Sequence, residues 1–197
     1  MTAAARRDDP AVLDEQVTVI TADQMRYLGG RLSGLLRAGD LVVLAGPLGA
    51  GKTTLAQGIG AGLGVRGQVT SPTFVIARVH PSLGAGPDLV HADAYRLGSR
   101  AEVDDLDLDA DLATAVTVVE WGSGLVEDLA DSFLSVTIDL AAGPAGVAEA
   151  EAGPRTVRVQ GSGERWRQPE SVTAARAALT GLAADRPDCP AYHSSAN

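Results

Sequence analysis

A chain of 197 residues, 45% of them hydrophobic, can bury the core of one α/β domain with an appendage. A net charge of −9 and a pI near 4.7 argue against a surface that grips nucleic acid unaided, so RNA contact is expected only through a partner. No apolar run approaches the roughly 18 residues of a membrane span; Arg6-Arg7 leads into Asp8-Asp9-Pro10 instead of a signal-like apolar stretch, and Cys189, the single cysteine, has no disulfide partner, so a cytoplasmic protein is expected.

Residues 1–15 read as a flexible arm. Gln16 to Thr21 reads as a strand, and Ala22 to about Ala38 as an amphipathic helix with Met25, Leu28, Leu32, Leu35 and Leu36 on its buried stripe. Gly39-Asp40 ends it. Leu41-Val42-Val43-Leu44-Ala45 is the continuous apolar run of a buried parallel strand. It enters Gly46-Pro47-Leu48-Gly49-Ala50-Gly51-Lys52-Thr53, a complete G-x-x-x-x-G-K-[ST] phosphate loop. Thr54 to Leu63, with Leu55, Ile59 and Leu63 four apart, reads as the helix such a loop requires.

Lys52 is the only lysine in the chain; every other basic side chain is arginine. The composition favours arginine and yet retains lysine where a compact ammonium must reach between two phosphates. The three glycines let backbone N–H groups converge on an anion at the positive end of the helix dipole, and Thr53 offers a hydroxyl to Mg²⁺.

Beyond the loop, Phe74 to Val79 and Asp88 to Ala92 read as strands around a turn from Pro81 to Pro87. The acidic stretch Glu102, Asp104, Asp105, Asp107, Asp109 and Asp111 lacks the Gly and Glu of a calcium loop, Ala110 and Val116 standing there for a start at Asp105; a solvated, partly helical segment is preferred. Val116 to Trp121 is a further strand. Ser132 to Leu140 and Arg155 to Gln160 read as a closing pair joined by the Ala/Gly/Glu-rich loop from Ala141 to Pro154. A phosphate-loop domain is thus expected at 16–161, an accessory helix at 162–185 and a disordered tail at 186–197.

A GTPase that reads guanine through Asn-Lys-x-Asp needs a second lysine, so adenine is the expected base and ATP the nucleotide. The carboxylates that handle Mg²⁺ and water must come from ends of strands beside the loop. Asp93 follows Leu89-Val90-His91-Ala92 and Glu120 follows Val116-Thr117-Val118-Val119, which fits that demand. Each residue also has a plain structural reading. Asp93 can cap a turn, Glu120 can be a charge at a strand end, Trp121 and Tyr95 can simply pack, Arg96 can form an ion pair, and His91 is expected to pack within its strand.

The phosphate loop, Ser71-Pro72-Thr73-Phe74, His91-Ala92-Asp93-Ala94-Tyr95-Arg96-Leu97 and Glu120-Trp121, in this order, resemble the TsaE (YjeE) family. The resemblance covers roughly Val17 to Gly161; Pro47 and Gly122 depart from the family's usual residues. It implies a P-loop NTPase-like three-layer sandwich, with a mainly parallel central sheet and flanking antiparallel strands. It also implies an ATPase needed for the threonylcarbamoyladenosine modification of tRNA, with TsaD and TsaB as partners and tRNA met only indirectly. Carried over by position, Lys52, Asp93 and Glu120 are the catalytic residues, and Thr53, Asp93 and Glu120 handle Mg²⁺. Gly46, Leu48, Gly49, Ala50, Gly51, Lys52, Thr53, Thr54, Thr73 and Trp121 contact the nucleotide. Two other classes stay open: a small-molecule kinase, for which Arg100 alone is a poor lid, and a non-catalytic ATP-gated interaction module.

Overall fold

The computed structural model describes residues 13–72, 76–97, 99, 102–103, 112–140 and 153–180. The chain runs β1 (Leu13–Val19), α1 (Ala22–Ser33), β2 (Leu41–Ala45), α2 (Lys52–Leu63), β3 (Ala77–His80), β4 (Asp88–Asp93), β5 (Ala115–Glu120), β6 (Phe133–Leu140), β7 (Arg155–Ser162) and α3 (Pro169–Thr180). Short 3₁₀ turns lie at Glu127–Leu129 and Glu164–Arg167. The strands form one sheet in the order β1-β7-β6-β2-β5-β4-β3. Its centre, β6-β2-β5-β4, is parallel, whereas β3 on one side and β7 and β1 on the other pair antiparallel.

Both faces of the central strands are covered, which is why they read as unbroken apolar runs. Val42 and Leu44 of β2 point into the core beneath α1, α2 and α3. Leu41 and Val43 point the other way, into a second core with Val90, Val103, Leu112 and Val126. The expected α/β sandwich is therefore present, with the expected β6–β7 pair at its flank.

Helix α1 opens on a capping box, Thr21 Oγ1 accepting from Gln24 N while the Gln24 side chain accepts from Thr21 N. Its buried stripe contains Met25, Leu28, Leu32 and Ser33, but it stops at Ser33 instead of Ala38, with Gly34 as its C-cap. Helices α1 and α2 approach closely enough that a Cβ on Gly29 would strike the Leu55 carbonyl, and one on Gly58 the Arg26 carbonyl. That seam fixes the angle at which α2 leaves the phosphate loop.

Other readings also differ from expectation. Strand β1 starts at Leu13, inside the segment expected to be an arm. Strand β3 starts at Ala77; Phe74 and Val75 lie outside the described residues, and Ile76 is held at φ 68°, which breaks extended backbone. The C-terminal helix is no separate appendage. Trp166, Val172, Ala175 and Leu179 belong to the same core as β1, α1 and α2, and Arg176 Nε pairs with Glu15 Oε1 at 2.6 Å. Sequence reading set α3 outside because the family motifs end earlier, yet its small residues let it lie against β1 and α1. Deleting residues 169–197 is accordingly expected to destabilise the domain. Leu179→Ala alone should cost about 2–5 kcal/mol, read as a lowered denaturant midpoint; an unchanged midpoint in both variants would return α3 to accessory status. The acidic residues Asp104 to Asp111, the joining loop 141–152, residues 1–12 and the tail from 181 onward lie outside the described residues.

Candidate functional site at the ends of the parallel strands

Parallel strands deliver their C-terminal ends to one edge of the sheet, where doubly wound folds place their ligands. Here β2, β4 and β5 do so in register: Leu44 is level with Glu120, and Glu120 with Asp93. Side chains alternate along a strand, so His91 and Asp93 share the face of Leu89, and Glu120 shares that of Val116 and Val118. That is the face under α2. The phosphate loop leaves β2 on the same edge.

The loop adopts conformations that its glycines permit, with φ 139° at Gly46, 77° at Gly49 and 112° at Gly51, which caps α2. Lys52, Thr53 and Thr54 form the first turn of α2, whose leading N–H groups have no carbonyl within the helix to bond. Ala50 is buried, whereas Leu48 at the tip is 86% exposed.

Lys52 is itself buried. Its Nζ donates to Gly46 O at 2.8 Å and Pro47 O at 2.9 Å, and lies 3.8 Å from the centre of the Trp121 ring. Burial lowers its pKa, and the Glu120 and Asp93 carboxylates pull part of that shift back. Tyr95 also packs on Trp121, the two rings 5.1 Å apart and tilted.

The acids are buried as well. Glu120 Oε1 accepts from Thr53 Oγ1 at 2.8 Å and lies 3.0 Å from His91 Nε2. Asp93 Oδ1 accepts from Tyr95 N at 2.9 Å, and Asp93 N donates to Ile76 O. Two non-glycine residues here take left-handed backbone, Ile76 at φ 68° and Trp121 at φ 60°. Each such residue costs on the order of 1–3 kcal/mol and persists only where its surroundings enforce it. Trp121 N donates to Leu44 O and Ile76 N to Pro72 O, which supplies that enforcement.

The geometry thus gathers Gly46, Leu48, Gly49, Ala50, Gly51, Lys52, Thr53, Thr54, Asp93, Glu120 and Trp121 at one edge. Thr73 lies outside the described residues. Sequence reading missed His91, which was expected to pack within its strand and instead touches Glu120. The available signal was its place two residues before Asp93 on the same strand face.

These residues suit a magnesium nucleotide. A hydroxyl and two carboxylates are hard oxygen donors, and Mg²⁺ is usually held by one or two carboxylates plus substrate phosphates. Among the described residues no cluster of three or more His, Cys, Asp or Glu could hold a metal alone, so Thr53, Glu120 and Asp93 would share the ion with phosphate. No helix among the described residues is long and apolar enough to cross a membrane.

Residues 19–144 match the family model for the threonylcarbamoyl adenosine biosynthesis protein TsaE. The chain belongs to the TsaE family. It is 62% identical over 143 residues to the tRNA threonylcarbamoyladenosine biosynthesis protein TsaE of Streptomyces coelicolor, covering 72% of this chain and 93% of the relative. The TsaE protein of Mycobacterium leprae is 53% identical over 119 residues, 57% of this chain and 74% of the relative. Among solved structures, Bacillus subtilis YdiB superimposes with a TM-score of 0.63 at 25% identity, covering 84% of this chain and 97% of that one. The matched span includes every residue gathered at the site and ends before β7 and α3.

One further buried group near the site carries a pH dependence. His80 on β3 is 4% exposed, its Nε2 has no hydrogen-bond partner among the described residues, and burial, followed by the neighbouring His91, lowers its pKa below 6.5. Below that value the unfolded chain binds a proton that the folded chain resists, so stability falls as pH falls, by at most about 1.4 kcal/mol per pH unit. Denaturant midpoints between pH 7 and 5 should decline less in His80→Gln than in the parent; parallel declines would clear His80 of the effect.

Proposed function

We propose that this member of the TsaE family is a Mg²⁺-dependent ATPase whose cycle of ATP binding and hydrolysis drives a TsaD–TsaB assembly in tRNA threonylcarbamoyladenosine biosynthesis. The observation that carries the reading is the convergence of Lys52, Thr53, Asp93 and Glu120, from three neighbouring strand ends, on one phosphate loop. A glycine-rich turn serving only packing has no use for a buried lysine and two buried carboxylates at its mouth, since burying charge is costly unless it is compensated.

In this reading the loop N–H groups and the start of α2 bind the ATP phosphates, and Lys52 moves from the Gly46 and Pro47 carbonyls to the β and γ phosphates. Thr53 and Glu120, already in contact, hold the ion's side of the site, with Asp93 next to them. Thr53, Glu120 and Asp93 would hold Mg²⁺ together with the phosphates, and the ion would supply neutralisation of phosphate charge. A carboxylate at the γ-phosphate end aligns the attacking water; the water oxygen joins the γ phosphorus, the bond to the bridging oxygen breaks, ADP leaves with the electron pair of that bond, and of the two water protons one stays on the phosphate and the other passes to solvent. Pro72 O accepts from Ile76 N and Ile76 O from Asp93 N, so the chain at Pro72 is tied to Asp93 and offers a segment that γ-phosphate can order.

The acidic composition favours action through partners over direct capture of tRNA. Purified chain, TsaD and TsaB should associate more tightly with ATP than with ADP, and phosphate release should rise in the assembly. Nucleotide-independent association with unchanged turnover would overturn the cycle; transfer of phosphate to an added small acceptor would favour a kinase.

A further inference from the structure

We infer that His91 is a positioning residue, whose imidazole fixes the Glu120 carboxylate in the orientation that serves Thr53 and Mg²⁺. The inference rests on the nucleotide reading of the site. Both side-chain hydrogen bonds of Glu120 fall on the same oxygen: Oε1 receives Thr53 Oγ1 at 2.8 Å and faces His91 Nε2 at 3.0 Å. A carboxylate only accepts, so it is His91 Nε2 that carries the hydrogen of this contact. His91 is fully buried, and its Nδ1 has no hydrogen-bond partner among the described residues.

An imidazole whose only role was to fill β4 would not be expected at such a place. A buried polar atom without a partner costs on the order of 1–3 kcal/mol, which an aliphatic side chain would avoid. What the imidazole adds is one directed N–H on a carboxylate that, among the described residues, would otherwise be held only by the Thr53 hydroxyl. Thr53 lies on α2 and His91 on β4, so the two donors grip Oε1 from the loop helix and from the sheet. With that oxygen tied at two points, rotation of the carboxyl group is restricted, and its placement no longer depends on the hydroxyl that the metal would also use. Donors standing behind metal-ligating carboxylates fix ligand orientation in this way, and their loss typically costs about 10–100-fold in metal affinity or activity.

The test replaces the donor and keeps the volume. In His91→Leu the directed N–H is gone; in His91→Gln the amide N–H₂ reaches to about the position of imidazole Nε2; in His91→Asn it stops short. The first readout is calorimetric: ADP binding by the full chain over a series of Mg²⁺ concentrations, with circular dichroism as the check on folding. Relative to the parent, Leu and Asn should need about 10–100-fold more Mg²⁺ for half-maximal coupling to ADP binding, whereas Gln should stay within about threefold of the parent if the donor is what matters. ADP affinity without Mg²⁺ should be the same in all. The second readout is phosphate release in the presence of TsaD and TsaB, where Leu and Asn should lower kcat more than they raise KM for ATP.

A folded Leu variant with parental Mg²⁺ dependence would overturn the inference, as would equal behaviour of Gln and Asn. The Gln–Asn comparison decides the matter if the Leu variant does not fold. A parent chain whose ADP binding ignores Mg²⁺ would overturn the nucleotide-site reading itself, and the role of His91 with it. A Mg²⁺-dependent parent with unaffected variants removes His91 alone.

Discussion

Lys52→Ala is expected to lower the rate of ATP hydrolysis by roughly 10²–10³-fold, the loss that follows removal of one preorganised charge donor from a transition state. No other lysine exists to replace it. The surroundings make substitution by arginine nearly as damaging. Lys52 Nζ fits between two carbonyl oxygens, 2.8 and 2.9 Å away, and against the Trp121 ring, a space shaped for a compact ammonium and not for a planar fork.

The fold should tolerate the change, although Lys52 is only 5% exposed. Its pKa is lowered because burial outweighs the pull of Glu120 and Asp93, so the charged form is worse off in the folded chain than in the unfolded one. Removing a charge in that condition deletes a cost together with the contacts to Gly46 and Pro47. The check is phosphate release beside a thermal unfolding curve. Loss of turnover at a retained midpoint is the expected result; retained turnover in a folded variant would end the assignment of Lys52.

What could be read from sequence divides along physical lines. The phosphate loop was legible because its chemistry constrains consecutive residues, and Asp93 and Glu120 because each closes an apolar run that a covered parallel strand requires. Pairing of β6 with β7 followed from two strand-like runs on either side of an Ala/Gly/Glu-rich stretch. The contact between His91 and Glu120 was hidden, since it depends on β4 lying beside β5 with Asp93 level with Glu120. Left-handed backbone at Ile76 and Trp121 was hidden too: neither is glycine, and local preference argues against both conformations. The place of α3 was judged by where the family motifs end, whereas its packing rests partly on Ala175 and Ala178, which carry little apolar signal while still being buried. In each of these cases the deciding term is tertiary and overrides the local one.

Asp93→Ala and Glu120→Ala should separate turnover from binding. The loop N–H groups and the helix start hold phosphate in the ground state and are untouched by either change, whereas metal placement and water alignment act mainly on the transition state. Hydrolysis should therefore fall by about 10²-fold or more in each, with nucleotide affinity measured without Mg²⁺ changed by less than about threefold. The two variants should differ in stability. Glu120→Ala strips the acceptor from both Thr53 Oγ1 and the fully buried His91 Nε2, leaving a buried donor unsatisfied at a cost of about 1–3 kcal/mol. Among its contacts Asp93 accepts from Tyr95 N, which lies at the exposed start of a turn where water can replace the carboxylate. Denaturant midpoints should thus rank parent, Asp93→Ala, Glu120→Ala in falling order, and Glu120→Gln, which keeps an acceptor oxygen, should recover stability without recovering turnover. If both alanine variants bind and hydrolyse ATP as the parent does, the carboxylates are ends of strands and nothing more; if Glu120→Gln restores turnover, the charge on Glu120 has no part in the reaction.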